Sequence, residues 1–497
     1  VGSQIGDISF ICDLKLSNKK QCVDKSICGK KTKYDVFMGG FGVSVLEKYL
    51  RKLDNAGYTC VVYTQDSATK NTTRSLYGIF SPGTYFNTDE TNKITNTTTV
   101  IWLDRVPNIL LKTREPIIYV GISSIDIYTG KTDVFEYNVP NFHSHTSYDE
   151  IERTISTHNP SETVIIYNKF DIGEVEDIIQ FCNIQSKAIH KIELEEKTQL
   201  AENAKKCEKQ KFQEELLKRF YSNDISDDII NDLRQHTFAT QAFCFMLDFI
   251  YDHNPDLVKR IARPEYQNDN ERVILGNYSL KQLNIIDDHA YRGKLSSIMS
   301  FLNECLTPMG KRAFKYNLVN PINNIQKLQR EYNIIEYCKD NKTFDNLRKN
   351  LVDLKDIEKN KRKLALKRLT PRELYYIFSN LNIIASLYEL YSNDETIYNY
   401  TQNFVDCDIK SFCNEITDFL NEKVDIEKCA DIDMMIFEDN IFQKGIYPDL
   451  DVQIEKLVDA KEKLASIQKY LSSILETFEK KGNKIKTEFV KIHETEK

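Results

Sequence analysis

The sequence lacks the features by which several classes of protein are first recognised. It contains no apolar run near the ~18 residues that cross a bilayer, and no basic segment before an apolar one at its start, as a secretion signal has. Its 12 cysteines form no CxxC pair, and Cys12, Cys22 and Cys28 are not spaced as a zinc knuckle requires. We therefore expect a soluble intracellular protein that contacts no membrane, uses no metal ligands in this chain and keeps its thiols free.

Positive charge is not in excess either. The 67 Lys and Arg residues are outnumbered by 74 Asp and Glu, and the formal net charge of -7 gives no bulk attraction to nucleic acid. Any contact with DNA must therefore come from local basic patches. The chain has no internal repeat of about 20–50 residues. Its 497 residues, 41% of them hydrophobic, are enough for three or four globular domains.

The first part of the chain has a mixed α/β pattern. Apolar residues recur at helical spacing over 45–53, and the run at 60–63 predicts a buried strand. Two β-rich runs within 116–137 flank the turn residues 128–131, which favours a hairpin, and 164–167 predicts another strand. We expect two α/β domains, one after the other.

The second half of the chain has a helical pattern. From about Asp224 onward glycine and proline are sparse, and apolar residues keep a 3.6-residue period. The most regular segment has an apolar residue at every seventh position, at Leu450, Leu457, Leu464, Leu471 and Phe478. This spacing predicts a helix of about 30 residues, ~45 Å long, that serves as a coiled-coil strut or core helix rather than as a chemical site.

Two groups of residues could bind phosphate groups. Gly130-Lys131-Thr132 resembles the end of a phosphate-binding loop, but Ile125 stands where that loop needs glycine, so we predict a hairpin turn and no nucleotide site. A basic run comprises Lys359, Lys361, Arg362, Lys363, Lys367, Arg368 and Arg372. On a helix these side chains spread over several faces between leucines, which favours a solvated helix or an interdomain surface over a phosphate grip.

Three stretches resemble the mismatch-binding domain of the MutS family of DNA mismatch-repair proteins. They are MGGFGVSVLEKYL (38–50), AGYTCVVYTQ (56–65) and TRSLYGIFSPGT (73–84), in the family's order and spacing. Gly39 and Gly40 allow a bulky partner to approach the backbone closely, and Gly83 supplies a turn geometry that other residues resist. The sequence of residues 80–86 resembles that of the family branch found in giant viruses and octocoral mitochondria.

The resemblance continues through the rest of the chain. YVGISSIDIYTGKTDVFEY (119–137) is similar to the opening hairpin of the MutS connector domain, which has an RNase H-like fold. Residues 275–286, 296–322 and 353–377 resemble the helical core, and Thr307-Pro308-Met309-Gly310 with Arg312 is the most specific motif. The implied domains are a mixed α/β mismatch-recognition domain (1–112), an RNase H-like connector domain (113–255), a helical core (256–444) and the beginning of a lever helix that leads to a DNA clamp (445–497).

An RNase H-like fold raises the possibility of metal-dependent nuclease chemistry. Asp126 stands where such a fold could place its first metal-binding carboxylate, but only Asp133 and Glu136 follow it, in no recognisable set. We therefore interpret Asp126 as a solvated hairpin residue and expect no catalytic site and no metal site in residues 1–497.

MutS proteins insert a Phe side chain as a wedge into the base stack beside a Glu, and the resemblance implies the same mechanism here. Recognition then depends on how easily a mispair deforms. The family places this aromatic-x-Glu after a Val-Gly-Ser or Val-Gly-Asp turn, but here Val1-Gly2-Ser3 is followed by Gln4-Ile5-Gly6-Asp7. Either the wedge has been lost, or a segment between Ser3 and Gln4 is missing from the chain. The second explanation is favoured because the resemblance resumes at Asp13-Leu14.

By resemblance, the chain recognises mismatched or distorted double-stranded DNA, as a homodimer, within a MutS-type repair ATPase. The DNA-binding candidates are Met38, Gly39, Lys31 and Lys33, and at the clamp end Lys480, Lys481, Lys484, Lys486 and Lys491. ATP and Mg are expected for the full-length protein, with an ABC-type ATPase beyond Lys497 and, in the giant-virus branch, a nuclease after it. The alternative is a MutS-derived structural protein that binds DNA junctions or docks partners without sensing mismatches. The expected location is the host cytoplasm, a viral factory or a virion, with the mitochondrion as the alternative.

Overall fold

The computed structural model divides the chain into two compact units, Val1–Arg368 and Leu369–Lys497. The residues that it describes are 4–22, 33–42, 45–65, 74–86, 94–107, 116–140, 145–266, 272–273, 275–286, 293–405, 407–435, 437, 439–479 and 490–492. Within these ranges, none of the helices combines the length and the apolar character that a membrane crossing requires.

The N-terminal part of the first unit contains two small antiparallel sheets and two helices. Its elements are α1 (Ile5–Cys12), β1 (Ser17–Cys22), β2 (Lys33–Met38), α2 (Leu46–Asn55), β3 (Cys60–Gln65) and β4 (Arg74–Phe80). Strand β1 pairs with β2, and β3 pairs with β4. Leu50, Phe80 and Tyr85 form a small core between α2 and the second sheet. The helix predicted over 45–53 and the strand predicted at 60–63 are both confirmed.

A six-stranded mixed sheet forms the centre of the first unit. Its strands are β5 (Thr97–Val106), β6 (Ile117–Asp126), β7 (Thr132–Pro140), β8 (Glu162–Asn168), β9 (Ala188–Glu193) and β10 (Glu265–Tyr266). Their order is β10-β7-β6-β5-β8-β9; β5, β6 and β7 are antiparallel, and β8, β9 and β10 are each parallel to their neighbour. The hairpin predicted at 128–131 and the strand predicted at 164–167 are confirmed. The domain boundaries stay predictions, but the one at 112/113 falls between two strands that pair with each other, β5 and β6.

The sheet is apolar on both faces because helices cover both. The associated helices are α3 (Asp149–His158), α4 (Ile172–Phe181), α5 (Gln199–Cys207), α6 (Gln210–Phe220), α7 (Asn223–Leu233) and α8 (Thr237–His253). Val100, Trp102 and Val164 belong to one core with α8, whereas Ile101 and Leu103 belong to a second core with α3 and α4. Continuous apolar runs are typical of strands that are buried on both sides.

Helix α8 packs directly against β6 because Gly121 of β6 has no side chain. A Cβ atom at Gly121 would clash with the backbone of Phe238. The Glu136 carboxylate accepts the backbone N–H groups of Phe238 and Ala239, at 2.7 and 2.9 Å, and so caps the beginning of α8. Glu136 is therefore a helix cap rather than a metal ligand.

The rest of both units is mostly helical. The first unit continues with α9 (Asn277–Gln282), α10 (Ile298–Leu302), α11 (Pro308–Val319), α12 (Ile325–Asp340), α13 (Thr343–Leu351) and α14 (Ile357–Ala365). The second contains α15 (Pro371–Ser392), α16 (Glu395–Gln402), α17 (Ile409–Lys423), α18 (Ile426–Cys429) and α19 (Pro448–Glu479). A mixed α/β N-terminal region followed by a mostly helical C-terminal region is therefore confirmed.

Helix α19 has about the length that the heptad pattern predicts. It has 32 residues, and Leu450, Leu457, Leu464 and Leu471 are each about 40% exposed within the described residues. The predicted helix of about 30 residues is confirmed. Its apolar face is not buried in a core of the second unit, which agrees with a strut more closely than with a core helix.

Candidate nucleic-acid interface

The segment after β2 leaves its backbone open on one side. A Cβ atom at Gly40 would meet no described atom within 4 Å, whereas one at Gly39 would lie 3.4 Å from the side chain of Leu16. Phe41 follows, 46% exposed, with its ring centroid 4.6 Å from that of Tyr49 on α2. This geometry gives a bulky partner access to the backbone at Gly40. The side chain of Met38, at the end of β2, lies outside the described residues, so its role stays a prediction.

Most of the lysines that are predicted to contact DNA lie outside the described residues. Lys31 lies outside them, and Lys33 pairs through its backbone with Cys22 at the far end of the β1–β2 hairpin from Met38. Lys480, Lys481, Lys484 and Lys486 also lie outside the described residues, and Lys491 is exposed. All of these residues remain predicted phosphate contacts.

The Ser81-Pro82-Gly83-Thr84 turn is joined to the six-stranded sheet through a buried carboxylate. Glu162, at the start of β8, accepts hydrogen bonds from the Ser81 hydroxyl and the Gly83 backbone N–H through Oε2, and its Oε1 lies 2.7 Å from Nε2 of His190. Burial raises the pKa of the Glu162 carboxyl, but the bonds from His190 and Ser81 outweigh burial and hold this pKa below its usual value. The turn that follows the β3–β4 hairpin is therefore fixed to the sheet by an ionised group.

This contact corrects the reason for glycine at position 83. Gly83 does not have a positive φ, so turn geometry does not require it. Instead, a Cβ atom there would clash with Thr98 Oγ1 and Glu162 Cβ. The sequence did not indicate Glu162 or His190 as site residues, because Glu162 is separated from Ser81 and Gly83 by about 80 positions. The only local signal for this contact was the strand run that begins just after Glu162.

Asp126 belongs to the framework of the β6–β7 hairpin and is not the solvated residue that we expected. Its carboxylate accepts the backbone N–H of Asn96 at 3.0 Å, that of Tyr128 at 3.1 Å and the Thr129 hydroxyl at 2.9 Å. Burial is the largest effect and raises the pKa of Asp126. Among the residues that the structure describes, no group of three or more His, Cys, Asp or Glu side chains is arranged to hold a metal ion. The carboxylate has a structural use here.

The basic run at 359–372 is in part buried, and the expectation of a solvated helix is wrong for Arg362 and Lys363. These two side chains are 2% and 3% exposed on α14. The Arg362 guanidinium donates to the carbonyls of Leu257, Lys259 and Arg260 in the turn after α8. Burial lowers its pKa to about 10. Arg362 joins α14 to the sheet region, so it is not free to bind phosphate.

Arg312, in the motif at 307–312, also joins separate elements through its hydrogen bonds. Its guanidinium forms a two-pronged pair with Asp356, at 2.8 Å for each N–O distance, and also binds Glu358 at 2.6 Å. Lys131 of the hairpin binds the other oxygen of Glu358 at 2.7 Å. These cations hold the pKa values of Asp356 and Glu358 below their usual range, although burial opposes this. The motif therefore joins α11, α14 and the β6–β7 hairpin.

The fold and these contacts define a protein with a mixed α/β region and a mostly helical region, and a family model matches part of the latter. The family model described as MutS domain III matches residues 278–490. The DNA mismatch repair protein mutS homolog of Acanthamoeba polyphaga mimivirus is 28% identical over 485 aligned positions, and the match covers 92% of this chain and 42% of that protein. The DNA mismatch repair protein MutS of Flavobacterium psychrophilum is 23% identical over 87% of this chain and 45% of its own length.

A mitochondrial DNA mismatch repair protein mutS homolog of Sarcophyton glaucum is 31% identical over 160 aligned positions, and the match covers 30% of this chain and 16% of that protein. The resemblance to MutS proteins, including relatives from a giant virus and from an octocoral mitochondrion, is therefore confirmed. The chain spans less than half of the length of these relatives.

Proposed function

We propose that the chain recognises mismatched or distorted duplex DNA as part of a MutS-type DNA repair ATPase. The observation that carries this proposal is the extent of the similarity to MutS proteins, which covers 92% of the chain in one relative and 87% in another and so includes both the α/β and the helical regions. A protein that retained only the helical scaffold would show similarity in that part alone.

The geometry after β2 suits the approach of a duplex. The open side of Gly40 lets DNA come close to the backbone, and the exposed Phe41 offers an aromatic surface beside it. The turn fixed by Glu162 gives this region a rigid link to the six-stranded sheet, because the link consists of buried hydrogen bonds. In this proposal Met38 lies near the probed base step, and the C-terminal lysines contact backbone phosphates.

Specificity then comes from the deformability of DNA. A mispair unstacks and kinks at a lower cost than a matched pair, so a protein that bends the duplex binds mispaired DNA more tightly. Contacts with phosphates position the duplex without reading its sequence. The net negative charge of the chain agrees with this separation of phosphate binding from mismatch recognition. It leaves little non-specific attraction to DNA beyond that of the local lysines.

The test is a comparison of dissociation constants for one duplex with and without a single mismatch, measured by fluorescence anisotropy on the full-length protein. We expect tighter binding of the mismatched duplex at every salt concentration of a series, with similar salt slopes for both duplexes. Equal affinity for the two duplexes across the series would contradict mismatch recognition.

The second candidate is a MutS-derived structural or junction-binding protein. The observation in its favour is that residues 4–22 contain no aromatic-x-Glu, and that residues 5–12 form helix α1. Tight binding of a four-way junction, with no preference between matched and mismatched duplexes, would support this candidate. A peptide that joins Ser3 to Gln4 in a tryptic mass spectrum would show that no wedge segment lies between them.

Cofactors and assembly follow from the same proposal. ATP and Mg would bind outside residues 1–497, and the protein would act as a homodimer inside the cell. Sedimentation of the full-length protein with and without duplex DNA tests the dimer, and a monomer bound to mismatched DNA would exclude it.

A further inference from the structure

The first unit contains a cleft that the proposed function does not use. It has a volume of about 990 Å³ and lies between the hairpin end of the six-stranded sheet, the end of α3 and the helices α10 and α11. This volume is in the range of small-molecule sites in proteins. It is lined, among others, by His158, Lys311, Lys315, Arg272 and Tyr316.

The charges of the cleft are unbalanced. Its described lining includes seven Lys and Arg residues against four Asp and Glu. Of the four carboxylates, Glu358 binds Arg312 and Lys131, and Asp126 binds the hairpin backbone. Four of the seven cations are also paired with carboxylates: Lys131 with Glu358, Lys187 with Asp54, Arg263 with Asp228 and Asp232, and Arg312 with Asp356 and Glu358. The positive charge that remains at the cleft is that of Lys311, Lys315 and Arg272.

Lys315 is the clearest case of a cation without a counterion. Its side chain is only partly exposed, and none of the described residues accepts a hydrogen bond from it or forms an ion pair with it. Burial lowers its pKa, which means that the ammonium ion is costly at this place. Lys311, one turn earlier on α11, also lines the cleft and has no described partner for its ammonium group.

Arg272 adds to the positive potential of the cleft, whereas His158 is neutral at pH 7. Burial, and then the charges of Lys315 and Arg153, lower the pKa of His158 to about 4. A carboxylate oxygen of Asp133 is 3.9 Å from Nε2 of His158. Arg272 donates to the Asn320 carbonyl and lies over the Tyr316 ring at 4.7 Å, so its contacts leave its charge without a neutralising carboxylate.

We propose that this cleft binds a phosphate-bearing ligand of nucleotide size, with Lys315 and Lys311 as the phosphate contacts and Arg272 as a supporting charge. Partly buried ammonium groups without counterions gain charge-assisted hydrogen bonds when a phosphate enters. Tyr316, whose ring already packs against Arg272, offers an aromatic surface at the same wall for the rest of the ligand. Such a ligand would connect the sheet to α11.

The site is tested with the full-length protein and three single variants. Lys315→Met removes the charge and keeps the length of the side chain, Lys315→Arg keeps the charge, and Lys339→Met is the control because Lys339 is an exposed lysine on α12 outside the cleft. The probes are inorganic pyrophosphate and a pyrimidine deoxynucleoside monophosphate, measured by titration calorimetry and by the shift in Tm.

We expect both probes to bind and to raise Tm more than sodium chloride of equal ionic strength. Lys315→Met should weaken binding about ten- to hundredfold, which corresponds to one lost charge-assisted hydrogen bond, while Lys315→Arg and Lys339→Met stay near the parent. Any probe binding elsewhere in the full-length protein is common to all variants, so only the difference between Lys315→Met and Lys339→Met measures the cleft. Equal affinities of these two variants would overturn the proposal, as would the absence of probe binding.

A competition experiment identifies the source of the phosphate. Displacement of the bound monophosphate by short duplex DNA, lost in Lys315→Met, would assign the cleft to DNA backbone phosphates; no displacement would assign it to a free nucleotide. The ratio of affinities for mismatched and matched duplexes is measured on the same variants. This ratio tests the proposed function separately, because it does not depend on the cleft.

Discussion

The backbone N–H of Gly83 donates to Oε2 of Glu162 over 3.0 Å, and this contact joins two parts of the first unit that lie 79 positions apart in the chain. It exists only because residue 83 has no side chain, since a Cβ atom would overlap Glu162. The turn and the carboxylate thus depend on each other, and each can be tested by a single substitution.

Gly83→Ala should destabilise the protein by about 2 kcal/mol or more, because the added methyl group forces the turn away from Glu162. Gly173→Ala is the matched control. Its Cβ atom would meet nothing within 4 Å in the first turn of α4, where alanine is expected to be neutral or stabilising by up to about 1 kcal/mol. Urea unfolding measures both variants. Equal midpoints for the two would show that the close approach at Gly83 does not matter.

Glu162→Gln should change the acid dependence of stability. The folded-state pKa of Glu162 lies below its usual value, so its stabilising effect is present above the unfolded pKa of about 4.3 and is lost as pH falls through the folded pKa. Glu162→Gln should therefore be less stable than the parent at pH 7, and the difference should shrink below about pH 4.3. The groups that face this carboxylate are Ser81, His190 and His253.

Glu193→Gln, an exposed change on β9, is the control for this titration. Unfolding followed between pH 7 and pH 3 gives the three profiles. A gap between the parent and Glu162→Gln that stays constant down to pH 3 would mean that folding does not lower the pKa of Glu162.

The sequence predicts elements that are defined by local periodicity. Helix α2, strands β3 and β8, and the 32-residue α19 were all predicted, because the spacing of apolar residues along one segment decides each of them. The β6–β7 hairpin was also predicted from a local pattern, namely turn residues between two β-rich runs. Gly130 in that turn has φ +74, a conformation that favours glycine.

Contacts between distant segments could not be predicted in this way. Glu162 and Gly83, or Arg362 and the carbonyl of Lys259, meet only through packing, and a single sequence carries no record of which segments pack together. The spread of the basic run over several helix faces suggested exposure. Arg362 and Lys363 are buried because another segment covers their face of α14.

Arg362→Met should lower the free energy of unfolding by about 2–4 kcal/mol, because it leaves the carbonyls of Leu257 and Lys259 without their donor. Lys361→Met, an exposed neighbour on α14, should change it by less than about 0.5 kcal/mol. Chemical unfolding gives both values. If the basic run instead bound phosphates, Lys361→Met and Arg362→Met would weaken DNA binding without such a difference in stability, and that result would contradict the structural assignment.

Replacing Lys480, Lys481, Lys484 and Lys486 together by glutamine should weaken DNA binding and flatten its salt dependence. Each phosphate contact that is lost lowers the slope of log K against log salt by about 0.9, so the loss of all four would lower it by about 3.6. The preference for mismatched over matched duplex should persist, because phosphate contacts carry no sequence information. The control is the double change Lys456→Gln and Lys469→Gln on α19, where both lysines are exposed. An unchanged slope in the fourfold variant would remove these lysines from the DNA interface, and an equal fall in the control would show that general charge, not position, attracts the duplex.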